Sequence, residues 1–250
     1  MQVVIVGTGN VASVMTKALL TAGHTVLQVA GRNETELRLL CEPLGLSYTS
    51  EWTNIDKTAQ IYIIAVADQA VASVASQLKL PGALVVHTAG SVPESVLTIA
   101  SEHTGVFYPL QSVRKEIDRI PAFSLLIHAA FPNDEKLLQE LAASIAEKVM
   151  IADDEQRGYY HLAAVIANNF SNHLYCVADK FCHEHGIEFK ALLPMLKEQV
   201  LRLETMPPSQ LQTGPAIRND EATIQKHLNL LQNSDKEMYE WFTAAIRQKH

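Results

Sequence analysis

Val3-Val4-Ile5-Val6-Gly7-Thr8-Gly9-Asn10-Val11-Ala12 is the stretch whose reading decides the fold. Four β-branched residues run straight into a glycine with no polar residue between them, as in a strand covered on both faces. Behind the turn, Val11, Val14, Met15, Ala18, Leu19 and Ala22 recur with helical spacing and form one apolar face. Gly23 stands where that helix needs a C-terminal cap. Strand, glycine turn and helix in this order make a pyrophosphate seat. Gly7 turns the chain off the strand, Gly9 lets a ligand approach the backbone, and Ala12 lets the helix lie close on the strand. The helix N-terminus adds unpaired N–H groups and a partial positive charge. Gly7, Thr8, Gly9, Asn10, Val11 and Ala12 are therefore the expected phosphate-binding residues.

The next strand, expected over 25–30, ends in Gly31-Arg32-Asn33. Dinucleotide sites that take NAD place an Asp or Glu at this corner for the ribose hydroxyls. Here a guanidinium stands there instead, with Asn33 beside it. Arg suits a 2′-phosphate through charge-assisted, often bidentate hydrogen bonds, so the expected cofactor is NADP. A solvated Arg followed by an Asn helix cap is the competing structural reading.

Outward from this corner, strands and helices alternate. A helix runs to about Cys41, strands follow over 46–49 and 61–66, and a helix over 69–78. Residues 61–66 are continuously apolar, as in a central parallel strand, and Ala65, Val66 and Ala67 leave room for a cofactor at its end. The strand over 83–86 opens into His87-Thr88-Ala89-Gly90-Ser91, and ligands of open α/β sheets sit beyond such strand ends. His87, Thr88 and Ala89 are expected at the nicotinamide end. Strands over 104–108, 121–128 and 149–151 and a helix over 134–148 complete a doubly wound α/β domain of residues 1–152. Residues 153–250 read as all-helical, with helices over 154–185, 189–204, 221–231 and 235–248.

Bulk composition narrows the function. The chain has 250 residues, 48% of them hydrophobic and 19% charged, which is ample for a large core. A net charge of −7 argues against a nucleic-acid or anionic-membrane partner. Three cysteines, Cys41, Cys176 and Cys182, fit reduced thiols better than a disulfide framework. No apolar run is long enough to span a membrane. A cytoplasmic protein is expected. Cys182-His183-x-His185 matches no closed zinc pattern, so no metal is expected, and no G-x-S-x-G supports a serine hydrolase.

Two clusters carry candidate chemistry. On a wheel of the 154–185 helix, His161, Asn168, Asn172 and Asp179 share one face; Ile166, Phe170, Val177 and Phe181 share the opposite one; Asn169 falls between. So apolar a helix is expected to pack against a second copy, giving a homodimer. The loop Thr213-Gly214-Pro215-Ala216-Ile217-Arg218-Asn219-Asp220 offers Arg218 for an anionic group. Its competing reading is a turn with a helix cap at Asn219 or Asp220.

The glycine turn, Gly31-Arg32-Asn33, His87-Thr88-Ala89-Gly90-Ser91, Tyr108-Pro109-Leu110-Gln111-Ser112, the 161–169 helix and Thr213-Gly214-Pro215 together resemble one bacterial family. It comprises Rossmann-like NADP oxidoreductases with a helical C-terminal domain of unknown function. The first domain also resembles pyrroline-5-carboxylate reductase and the deazaflavin-dependent NADP oxidoreductases. The resemblance implies NADP, a helical dimerisation domain and a cleft between the domains for a small C=O or C=N substrate. Related β-hydroxyacid dehydrogenases carry a Lys and an Asn on the first interdomain helix, but no Lys lies between Lys148 and Lys180 here. His161 is then the nearest proton donor, with Asn168 or Asn169 polarising the substrate. The alternative is a non-catalytic NADP-binding redox sensor.

Overall fold

The computed structural model describes residues 1–116 and 119–249. It divides into two compact units, Met1–Asn169 and Phe170–His250.

The first unit is built on an eight-stranded sheet. Its strands are β1 (Gln2–Val6), β2 (Thr25–Ala30), β3 (Tyr48–Thr49), β4 (Ile61–Ile64), β5 (Leu84–His87), β6 (Thr104–Leu110), β7 (Ser124–Ala129) and β8 (Lys148–Ile151), in the order β3-β2-β1-β4-β5-β6-β7-β8. β1 lies between β2 and β4, paired parallel to both, with Val6 opposite Ala30 on one side and Ile64 on the other. The winding direction reverses at this point, and a crevice opens beyond the strand ends.

Alternation along β1 splits the core in two. Val3 and Ile5 pack with Met15 and Leu19 of α1 (Asn10–Thr21), Leu37 of α2 (Glu34–Cys41) and Leu138 and Leu141 of α4 (Pro132–Ile145). Val4 and Val6 pack with Val71 and Val74 of α3 (Val71–Ala75) and with Leu78 and Leu97. Each such side chain contributes about 1.5–3 kcal/mol when removed from water.

The sheet departs from the expected alternation once. β6 runs on through Pro109 and Leu110, and β7 pairs with it antiparallel, Tyr108 opposite Leu126 and Pro109 opposite Leu125. The 69–78 helix is also shorter than expected, a 3₁₀ turn over Asp68–Ala70 followed by α3.

After β8, α5 (Asp154–Ala164) begins with a capping box in which Asp153 accepts from the Gln156 N–H at 2.8 Å. A π-helical turn over Val165–Phe170 follows, and α6 (Ser171–Glu184) continues the run. The single-wheel reading of 154–185 fails here. A widened turn advances the register by one residue, rotating later side chains by roughly 100°.

The second unit is helical. α6 ends at Gly186, whose φ is 65°, and Pro194 sits in the first turn of α7 (Leu193–Arg202) rather than kinking it. Asp220 caps α8 (Glu221–Leu230), accepting from the Thr223 N–H at 3.1 Å. α9 (Asn233–Lys249) is tied to α8 by a His227–Tyr239 hydrogen bond of 2.8 Å and to α6 by a Lys180–Asp235 ion pair of 3.0 Å. Among the described residues no helix is long and apolar enough to cross a membrane, and no cluster of His, Cys, Asp or Glu is arranged to hold a metal ion.

Candidate functional site

A groove of about 400 Å³ lies beyond β1, β2 and β4, lined by Gly7, Thr8, Gly9, Asn10 and Val11, by Gly31, Arg32 and Asn33, and by Ala65, Val66 and Ala67. Gly7 is required by the chain itself. Its φ is 135°, and a Cβ would fall on the Ala65 carbonyl oxygen. Gly9 is different: its φ is −76°, and a Cβ there would meet nothing within 4 Å. The protein has no steric need of a glycine at position 9, and the backbone there is open to the approach of a ligand. α1 starts at Gly9 with no side-chain cap and no acid in its first turn, which leaves its N–H groups for an anion. Arg32 is exposed at the groove edge and has no ion-pair partner among the described residues. Asn33 caps α2, accepting from the Glu36 N–H at 3.2 Å. Trp52, Ala70 and Val74 add an apolar wall that the sequence reading missed. Together these features fit a phosphorylated adenine dinucleotide.

A second cavity, of about 410 Å³, shares Asn10 and Val11 with the groove. Tyr108, Leu110, Gln111, Ser112 and Val113 line it from the end of β6, and His161, Ala164, Val165, Asn168 and Asn169 from the helix. All of these residues belong to the first unit. The π turn places both Asn168 and Asn169 on the cavity with His161. Tyr108 Oη lies 2.9 Å from His161 Nδ1. The hydroxyl is held above the usual phenol range, first by burial and then by the negative charge of Asp68. Gly90 makes room for the ring, since a Cβ there would sit 2.6 Å from His161 Nδ1. Tyr108 stands in one of the motifs that carried the family resemblance, but its partner lies 53 residues away, beyond local spacing rules.

One buried cation holds this arrangement. Arg157, 1% exposed, donates from Nε to the Gly90 carbonyl at 3.3 Å and from Nη2 to the Val92 carbonyl. Its Nη1 lies 2.8 Å from Asp154 Oδ1, close enough for an ion pair but without hydrogen-bond alignment. The Asp154 carboxylate also accepts from the Glu94 N–H at 3.2 Å. α5 is thereby fastened to the loop after β5, which is why the compact unit runs beyond β8.

Five of the expected site residues, Ala12, His87, Thr88, Ala89 and Arg218, line neither cavity. His87, Thr88 and Ala89 line neither cavity, because their side chains are buried. His87 Nδ1 accepts from the Ala89 N–H at 3.2 Å while Nε2 has no hydrogen-bond partner among the described residues. Burial, and then the neighbouring Arg157 charge, push the His87 pKa down to about 4, so its ring is neutral and structural. Arg218 is exposed in the second unit, in the turn before α8, and lines neither cavity; the capping Asp220 carboxyl is held low by its hydrogen bonds from the Thr223 hydroxyl and N–H, with the Arg218 charge a smaller influence.

The description "NADP oxidoreductase coenzyme F420-dependent" matches residues 2–90, and "Domain of unknown function (DUF2520)" matches residues 124–246. No curated protein matches the chain. Among solved structures, the "putative NADP oxidoreductase" of Bacteroides fragilis is 33% identical, with a TM-score of 0.90, over 99% of this chain and 98% of that one. Pyrroline-5-carboxylate reductase of Streptococcus pyogenes shares the fold at 14% identity and a TM-score of 0.69, over 99% and 98% of the two chains. Imine reductase of a Pseudomonas species does so at 18% identity and 0.69, over 98% and 92%. The identity and full coverage against the Bacteroides fragilis protein show that this chain belongs to that family of NADP-dependent oxidoreductases.

Proposed function

We propose that the chain reduces a small C=N or C=O substrate in the cavity lined by Tyr108, His161, Asn168 and Asn169, with NADP in the adjoining groove. The carrying observation is the Tyr108–His161 contact of 2.9 Å, in a cavity that shares the wall Asn10–Val11 with the groove. The glycine turn receives the pyrophosphate, Arg32 the 2′-phosphate, and the slot formed by Trp52, Ala70 and Val74 the adenine. When bound, the reduced nicotinamide supplies a hydride to the substrate carbon. This chain's own work is to supply the proton and hold the substrate. Tyr108 donates its hydroxyl hydrogen bond to His161 Nδ1, leaving the N–H at Nε2 for the substrate heteroatom; as the Nε2 proton passes to that atom, Nδ1 takes the Tyr108 proton, the ring stays neutral and solvent reprotonates the phenolate. Asn168 and Asn169 orient that heteroatom through their side-chain amides. The names of the imine and pyrroline-5-carboxylate reductases, whose fold this chain shares, favour a C=N substrate.

The test is NADPH oxidation followed at 340 nm against imines, 2-keto acids and β-keto acids. His161→Ala should lower kcat by about 10²–10⁴-fold, as for loss of a general acid, with NADPH affinity unchanged. Full turnover in that variant removes His161 from the reaction. Tight NADPH binding with no turnover across the panel favours a redox sensor instead.

The protein's partner is a second copy of itself. The second unit leaves Phe170, Met195, Val200, Leu201 and Trp241 more than half exposed, at 57, 61, 59, 57 and 65%. Apolar surface of that kind is characteristic of an obligate homodimer interface. Light scattering that reads a monomer at working concentration overturns this.

A further inference from the structure

The segment after β6 touches the glycine turn and α2 together. The Lys115 backbone N–H donates to Asn10 Oδ1 at 3.3 Å, and its ammonium pairs with Glu36 Oε2. Glu36 lies in the first turn of α2, its N–H bonded to the side chain of Asn33, the residue that follows Arg32. Thr8 lines both the nucleotide groove and a neighbouring cleft of about 340 Å³, whose other lining residues include Glu36, Lys17 and Lys115.

These acids pose a problem for a 2′-phosphate. The first turn of α2 carries Glu34 and Glu36, negative charges beside the corner where the phosphate would sit. Glu34 is neutralised from within its own helix, by Arg38 at 3.2 Å. Among the described residues Glu36 is neutralised only from outside it, by Lys115. The pair is about two-thirds shielded from solvent, with side-chain exposures of 37% and 35%, so screening does not remove its effect.

We infer that Lys115 is a specificity residue for the 2′-phosphate. It cancels Glu36 in the first turn of the helix that follows Arg32. The assignment rests on the nucleotide groove proposed above. Without Lys115, Glu36 repels the phosphate and the preference for a phosphorylated ribose shrinks.

Calorimetry with 2′,5′-ADP and 5′-ADP as probes tests this on the full chain. Lys115→Ala should weaken 2′,5′-ADP by about tenfold, the scale of one charge-assisted contact, and change 5′-ADP by less than about twofold. Adding Glu36→Gln to that variant should recover most of the loss, and Lys115→Arg should keep the preference. An equal loss for both probes, or none, overturns the inference. Arg32→Ala separates it from the groove assignment. Loss of 2′,5′-ADP in Arg32→Ala but not in Lys115→Ala removes only Lys115. Loss in neither, or a wild type blind to the 2′-phosphate, removes both.

Discussion

The groove and the cavity beside it share a wall and are built in opposite ways. The groove is made mainly from short segments at the ends of three neighbouring strands, and most of what it offers is backbone. Gly7, Gly9 and the uncapped start of α1 supply shape and N–H groups, and Arg32 supplies one charge. The cavity is made from side chains far apart in sequence, with Tyr108 and His161 brought to 2.9 Å by a buried arginine and a glycine. One region depends on where the backbone goes, the other on which distant side chains meet. Substitutions should therefore damage them differently.

Gly7→Ala is the harshest test of the backbone-built region. It forces a side chain onto the Ala65 carbonyl at a φ of 135°. Thermal and urea unfolding should show a loss of at least about 3 kcal/mol, with dinucleotide binding lost as well. A variant of near-native stability means that β1 and β4 can separate, and the groove is then not rigid.

The buried support of the second region has a pH signature. The His87 pKa falls from 6.5 to about 4 on folding, so between these values the unfolded chain binds more protons than the folded one. This contribution is complete above about pH 6.5 and declines as pH falls toward 4, by up to about 3 kcal/mol. Urea midpoints across that window should decline in the wild type and more gently in His87→Leu. Equal slopes place the acid sensitivity elsewhere.

Gly90→Ala should have the smallest effect and sharpens the contrast most. The Cβ displaces the His161 ring, which can give way, so stability should fall by about 1–2 kcal/mol. Turnover should fall while NADPH affinity holds. Parallel loss of both means the cavity and the groove respond as one body.

The same contrast explains what could be read from the sequence. Val3 to Ala12 is a local pattern, with strand, turn and helix each written in adjacent residues, and Arg32 follows from its place after β2. Asn33 as a cap is equally local. Trp52 was missed because a lone aromatic in a connection carries no period. The antiparallel β6–β7 pair was missed because no spacing rule gives the direction in which two successive strands pair. Asn169 was set between faces because an α-helical wheel cannot foresee a π turn. His87 was placed at the nicotinamide end because a strand end says where the backbone opens, not which way an imidazole turns.

The wall formed by Asn10 and Val11 has a practical side. Anyone retooling the catalyst for another substrate has two classes of position to choose from. Leu110, Ser112, Ala164 and Val165 border the cavity alone and can be varied as a library. Asn10 belongs to both chambers and also anchors the Lys115 amide, so on the function proposed above a change there should alter coenzyme and substrate recognition together.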